Sequence, residues 1–160
     1  MNDTREKAGM SLIVKTVCGW LKGFILLYGI HVILYGHLTP GGGFAGGVIA
    51  AAAFVLILLA EGEQSALESF SRKAASTWDS VGVLIFLAVA VSGMVLAGIF
   101  FVNYWTTPES ARLTLFSSGI ILPSNIGIGL KVCASLYLVL LVLTTQRASQ
   151  GRGSAEEDAS

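Results

Sequence analysis

The stretch Gly36-His37-Leu38-Thr39-Pro40-Gly41-Gly42-Gly43-Phe44-Ala45-Gly46-Gly47 decides how this 160-residue chain folds. Pro40 has no backbone N–H and disfavours the α conformation at Thr39, and the three glycines that follow are free to adopt positive φ angles. From Phe44 to Ala60 the residues are almost all apolar, which suits a helix that crosses a bilayer core. The stretch is therefore a tight turn that leads directly into a membrane helix.

The composition is that of a membrane protein. Apolar residues make up 54% of the chain and charged residues 12%, about half of the share usual in soluble domains. The mean hydropathy is +0.74, and the apolar residues occur in long runs, which is typical of membrane spans. The formal net charge is zero, so nothing favours a nucleic-acid partner, and membrane lipid is the expected environment.

The two cysteines, Cys18 and Cys133, lie far apart, each within an apolar run. We interpret both as small packing residues rather than as a disulfide or a metal-binding pair. A zinc or iron–sulfur site needs closely spaced ligands, and the sequence offers none. We therefore expect no metal site and no cofactor.

The order of apolar runs predicts an all-α integral membrane fold with four transmembrane helices. The spans are expected from Leu12 or Gly19 to Tyr35, from Phe44 to Ala60, from Asp79 to about Phe101, and from Ile126 to about Leu143. The Gly-rich turn joins the first two spans. Residues 61–78 form a polar connection with a possible short surface helix, residues 106–123 form a loop, and the polar tail 146–160 is expected to be disordered. Side-chain caps for the last two spans are expected among Ser76, Thr77, Asp79, Ser124 and Asn125.

The positions of lysine and arginine predict that both termini face the cytoplasm. The side that holds the termini and the connection 61–78 carries most of them, namely Arg5, Lys7, Lys15, Lys22, Arg72, Lys73, Arg147 and Arg152. The opposite side holds Arg112 alone, and Lys131 lies within a span. By the positive-inside rule, the Gly-rich turn then lies at the outer face.

Glycine spacing in the second span favours close helix packing. The turn contains a G-x-G-x-x-G string, but no short strand precedes it and an all-round apolar helix follows, which argues against dinucleotide binding. Gly43 and Gly47 form G-x-x-x-G, and Ala51 continues the ridge, so a second helix can approach closely. Gly93 and Ala97 repeat this spacing in the third span.

Three polar side chains fall within the predicted spans: His31, Lys131 and, nearer an end, Lys22. A lysine at mid-membrane costs about 2.5–3.5 kcal/mol on insertion scales. Lys131 either snorkels to the surface, or faces a buried carboxylate or a proton-conducting water chain. His31 shares a helix face with Tyr28 and Tyr35, and it either relays protons or bonds to a carbonyl of a neighbouring helix.

Acidic residues are expected only at the ends of spans, where Glu61 and Asp79 fall. Cation exchange needs hard oxygen ligands and a group that alternates between proton and ion, normally a carboxylate. With no such group at depth, the chain is expected to be unable to exchange cations alone. It should be one piece of a larger assembly.

Two segments resemble a known family. Residues 36–48, which extend the opening stretch to Val48, are similar to the signature of MnhB/MrpB-like proteins, small membrane subunits of multisubunit Na⁺/H⁺ (monovalent cation/proton) antiporters. Residues 122–132, Leu122-Pro123-Ser124-Asn125-Ile126-Gly127-Ile128-Gly129-Leu130-Lys131-Val132, resemble the family's second landmark. The resemblance covers about residues 12–145, and the four-helix topology of the family agrees with the predicted spans. The motif residues are Pro40, Gly41, Gly42, Gly43, Phe44, Gly46, Gly47, Pro123 and Asn125.

The resemblance implies a non-enzymatic subunit of the cell membrane, with a four-helix domain over residues 1–145. It also implies partner subunits, including large ones that resemble the proton-pumping subunits of respiratory complex I and would supply the missing carboxylates. Na⁺ and H⁺ would be the ions of the whole complex, and this chain would serve its assembly and ion path. Two alternatives stay open: a related subunit of a membrane-bound hydrogenase or other redox-driven pump, and a purely structural subunit in which His31 and Lys131 carry no ions.

Overall fold

The computed structural model describes residues 12–105 and 115–157, and within these ranges the chain is helical without strands. The helices are α1 (Leu12–Tyr35), α2 (Gly43–Glu61), α3 (Glu63–Ser69), α4 (Arg72–Ala97) and α5 (Ile121–Glu157), with a 3₁₀ helix at Leu115–Ser118 before α5. Four of them are long and apolar enough to cross a membrane: Ile13–Tyr35, Gly43–Glu61, Arg72–Ala97 and Ile121–Gln146. The four predicted spans are thus confirmed, and α3 is the short helix expected in the polar connection. The part of the predicted loop at 106–114 lies outside the described residues.

The third span begins earlier than predicted. Ser71 is the N-cap of α4, and its Oγ accepts the Ala74 N–H at 3.2 Å, so the caps expected at Ser76, Thr77 or Asp79 are wrong. The helix ends at Gly98, which adopts φ 70° and donates its N–H to Met94 O. The earlier start follows from the capping bond at Ser71, and a cap of this kind cannot be recognised from hydropathy.

The fourth span also starts before its predicted caps. The helix α5 begins at Ile121, so Pro123 lies in its first turn, where a missing N–H breaks no helical hydrogen bond. Ser124 is inside the helix and donates its Oγ–H to Ile120 O at 2.7 Å. Asn103 accepts the Ile120 N–H at 3.3 Å and thereby satisfies a donor before the first turn.

The far end of α5 differs from the expected disordered tail, because the helix continues to Glu157. Residues 146–157 combine good helix formers with Gly151 and Gly153, and a helix already formed extends more readily than it starts. Polarity alone predicted disorder here, and it does not register helix propensity.

The spans are arranged in the order α1, α2, α5, α4. Within the described ranges, α1 packs extensively on α2, α2 on α5, and α5 on α4, whereas α1 and α4 share no extensive contact. An apolar crevice of about 220 Å³ lies between the two outer helices, lined among others by Ile30 of α1, Phe54 of α2, Trp78 of α4 and Cys133 of α5. The two central helices, α2 and α5, thus line the bottom of the crevice, and the outer helices α1 and α4 line its sides.

A buried cluster ties α3 to the central helices. Tyr137 of α5 is fully buried, and its Oη lies 3.1 Å from Ala66 O and 2.8 Å from Phe70 O. The Phe54 and Phe70 rings stack at a centroid distance of 5.0 Å beside Tyr137. The Tyr137 hydroxyl thus bonds to carbonyls within and just after α3, which fixes α3 against α5.

Candidate functional site

The Gly-rich turn brings α2 against the start of α5. Gly42 adopts φ 121°, a conformation that favours glycine, and α2 begins at the next residue. A Cβ added at Gly43 would collide with the carbonyl oxygen of Asn125 and would lie 2.9 Å from Ile128 Cβ. The structure therefore places the two motif segments, around Gly43 and Asn125, in direct contact. Pro40 and Phe44 are exposed at this corner, Phe44 by 67%.

Glycines on successive faces of α2 allow backbone contact on two sides. A Cβ added at Gly46 would lie 2.8 Å from Gly29 O of α1. A Cβ added at Gly47 would lie 2.8 Å from Gly129 O of α5. The glycine ridge of α2 is thus a packing surface toward α5, and Gly46 serves the contact with α1.

The glycine of α4 that meets another helix is Gly82, not the predicted Gly93. An added Cβ at Gly82 would lie 2.6 Å from Gly127 O and 2.7 Å from Lys131 N. An added Cβ at Gly93 would instead meet Val102 N at 2.9 Å and Ile99 O at 3.0 Å, where the chain folds back after α4. The G-x-x-x-G spacing shows that a close approach is possible but does not name the partner.

One turn from this crossing, Lys131 forms an ion pair with Asp79. Lys131 Nζ lies 2.8 Å from Asp79 Oδ1 and 3.5 Å from Ser135 Oγ, and the Ser135 hydroxyl donates to the same carboxylate oxygen. The side chains of Lys131 and Asp79 are 45% and 29% exposed. We call Asp79, Lys131 and Ser135 the intramembrane cluster. Lys131 thus faces a carboxylate that is partly exposed rather than buried.

The helix that carries Asp79 begins earlier than predicted, so Asp79 lies within α4 rather than at its first residue. Asp79 follows Arg72 by seven residues, or about 10 Å along α4, and Lys131 follows Ile121 by ten residues, or about 15 Å along α5. Sequence reasoning missed Asp79 and Ser135 because it counted only the apolar part of α4. The signal that could have found Asp79 is the cap residue Ser71, which moves the helix start to Arg72.

The other two polar residues of the spans lie elsewhere. Lys22 Nζ is 3.5 Å from Glu61 Oε1, an ion pair that joins α1 to the end of α2. His31 is exposed on α1, and its ring stacks on Tyr35 at 4.8 Å. The structure therefore does not bring His31, Lys22 and Lys131 together. Cys18 and Cys133 are both free thiols, and among the described residues no group of three or more His, Cys, Asp or Glu side chains is arranged to hold a metal ion.

Four helices of membrane length, two of them joined by an ion pair, define a multi-pass membrane protein. Comparison with known families makes this more specific. The family profile described as a domain related to the MnhB subunit of Na⁺/H⁺ antiporter matches residues 13–138. The chain therefore belongs to the MnhB family, whose profile is related to a subunit of Na⁺/H⁺ antiporters.

Two relatives support the assignment. A Staphylococcus aureus protein of the Newman strain, named "Putative antiporter subunit mnhB2", is 31% identical over 133 residues, which cover 78% of this chain and 93% of that protein. An uncharacterised protein of Methanocaldococcus jannaschii is 33% identical over 150 residues, or 91% of this chain. The chain spans only 57% of the length of this archaeal relative.

Proposed function

We propose that this chain is a subunit that does not exchange cations alone, and that its intramembrane cluster lies on the ion path of an assembled cation/proton antiporter in the cell membrane. Its partners are the other antiporter subunits, including large ones of the complex I type that carry the exchanging carboxylates. The observation that carries the proposal is the Asp79–Lys131 ion pair between α4 and α5.

The pair can be accommodated in the spans because its charges cancel. A single charged side chain at a helix centre costs about 2.5–3.5 kcal/mol on insertion scales, and a partner at hydrogen-bond distance lowers that cost. The Gly82–Gly127 crossing brings the two backbones close enough for the side chains to meet. Intramembrane ionisable residues mark ion and proton pathways more often than they serve packing alone.

The same bonds explain why the chain should not exchange cations by itself. Asp79 pairs with the Lys131 ammonium, so the negative charge that would compensate a cation for losing its water is already cancelled. A proton that reaches Asp79 would release the Lys131 ammonium toward another acceptor. The cluster is therefore suited to pass protons or shift charge beside a cation site in a neighbouring subunit.

Reconstitution tests this proposal. The purified chain in proteoliposomes should show no cation-dependent proton movement above that of empty vesicles, whereas the whole complex should show it and a complex from cells lacking this chain should not. A pH-sensitive dye inside the vesicles reports the movement. Robust exchange by the isolated chain, or full exchange by a complex without it, would refute the proposal.

A further inference from the structure

The intramembrane cluster lies on a surface that the rest of the chain leaves open. Ser76 and Val83 share the Asp79 side of α4 because they lie at i−3 and i+4, and Val139 lies two turns after Lys131 on α5. Ser76 is exposed, and Val83 and Val139 are exposed by 42% and 55%. We call this surface the α4–α5 face; its members are Ser76, Asp79, Val83, Lys131, Ser135 and Val139.

Lys131 and Asp79, at the centre of this face, can form more hydrogen bonds than they do. A lysine ammonium has three N–H donors, and Lys131 directs two of them to Asp79 and Ser135. Asp79 accepts both of its bonds at Oδ1, and among the described residues none donates to Oδ2. One N–H of Lys131 and one carboxylate oxygen of Asp79, both on partly exposed side chains, are thus open to a further partner.

Lipid tails cannot satisfy these groups, because hydrocarbon has no hydrogen-bonding atoms. Ser76, one turn before Asp79 on α4, is a further exposed polar residue of this face. By contrast, the exposed side of α1 carries large apolar residues, among them Val17, Trp20, Phe24 and Leu27, which suit lipid. The α4–α5 face therefore differs from an ordinary lipid-facing surface.

We propose that the α4–α5 face is the contact surface for a transmembrane helix of another subunit, which places a side-chain amide or hydroxyl against Lys131 and Asp79. Such a group can accept from Lys131 Nζ and donate to Asp79 Oδ2, and it adds no net charge to a pair that is already neutral. Exposed Val83 and Val139 flank the polar centre and supply the apolar contact that helix packing requires. The inference rests on the proposed function only in taking the chain to be one subunit of several.

Site-specific photo-crosslinking in the whole complex tests the contact. A photoreactive amino acid replaces Val83 or Val139 in cells that make all subunits, and adducts are identified by mass spectrometry. Both positions should give a discrete adduct with another membrane subunit. The Val139 adduct should fall at least tenfold in the double variant Asp79→Leu/Lys131→Met, which keeps side chains of similar size and removes the polar centre.

Ser92→Ala is the matched control, since Ser92 is a polar residue of α4 that bonds within its own helix to Val89 O and also receives a bond from Tyr104 Oη. The adduct should be unchanged in this variant. Adducts with lipid alone, adducts with a second copy of this chain, or an undiminished adduct in the double variant would each overturn the inference. Exchange by the isolated chain would overturn the proposed function instead, and it is measured without any crosslink.

Discussion

Lys131 and Asp79 are each unfavourable in a membrane span and are acceptable only together. The pair lies 52 positions apart in the sequence and meets because α4 and α5 cross there. Removing one partner of a buried pair costs about 3–5 kcal/mol, and the partial exposure of these side chains reduces that figure. Removing both charges leaves no uncompensated group. Single and double variants of the pair therefore distinguish a loss of assembly from a loss of transport.

The single variants Asp79→Asn and Lys131→Gln should therefore each lower the amount of assembled complex, because each leaves one charge without its counter-charge. The double variant Asp79→Asn/Lys131→Gln should restore assembly to within about twofold of the wild type, since the remaining groups are neutral and can bond to each other. Its cation/proton exchange should nevertheless fall at least tenfold. Complex yield is measured by affinity purification and exchange by dye fluorescence in membrane vesicles.

If the double variant assembles and exchanges cations at the wild-type rate, the pair has no part in the ion path, and the purely structural alternative is correct. His31→Ala gives a useful comparison, because His31 is exposed on α1 and contacts Tyr35 rather than the cluster. A loss of exchange in His31→Ala would support the predicted proton relay at His31, and unchanged exchange would contradict it.

Lys131 could be recognised as an anomaly from the sequence, because a lysine within an apolar run needs an explanation. Its partner could not be recognised, because hydropathy placed Asp79 at the end of a span. Ser135 gave no signal at all, since a serine in an apolar helix commonly bonds to its own backbone. Which of several polar groups meet across two helices depends on their rotation and crossing point, which local pattern does not fix.

At the scale of helices, the four spans could be predicted because each carries an apolar run of membrane length. The starts of α4 and α5 could not, because a capping serine and a proline in the first turn extend both helices beyond their apolar runs. The glycine motif predicted that α2 is packed closely. It did not predict that Gly46 meets Gly29 of α1 while Gly47 meets Gly129 of α5, since the pattern records small size and not the identity of the partner.

The α4–α5 crossing gives a prediction for a single element. Gly82→Leu should lower the free energy of unfolding of the purified chain in detergent by about 1–3 kcal/mol, because even its Cβ would lie 2.6 Å from Gly127 O and the helices must separate. Gly23→Leu is the control, since a Cβ added at Gly23 meets no atom within 4 Å. Thermal unfolding followed by circular dichroism measures both. Equal stability of the two variants would contradict the close crossing.

At the scale of the whole molecule, the order α1, α2, α5, α4 means that each outer helix packs extensively against one neighbour and is exposed on its other side. The central helix α2 contacts neighbours on two sides through glycines, whereas the exposed residues of α1 are mostly large and apolar, with Lys15, Thr16 and His31 among them. An open row of this kind has more free surface than a closed bundle, which suits a subunit that lies between other membrane proteins or against lipid. The two outer surfaces differ in chemistry, because the α4–α5 face carries the Asp79–Lys131 ion pair, whereas the described residues of α1 form no ion pair on its exposed side.

The orientation of this row in the membrane is a prediction from the distribution of lysine and arginine, and cysteine labelling in intact cells can test it. Thr39 lies exposed in the Gly-rich turn between α1 and α2, and Gln64 lies exposed on α3, at the opposite ends of the spans. If the positive-inside rule holds, Thr39→Cys should react with a membrane-impermeant maleimide in intact cells, whereas Gln64→Cys should react only after permeabilisation. The wild type controls for labelling of Cys18 and Cys133. The reverse pattern would place the Gly-rich turn, and with it the start of α5, on the cytoplasmic side.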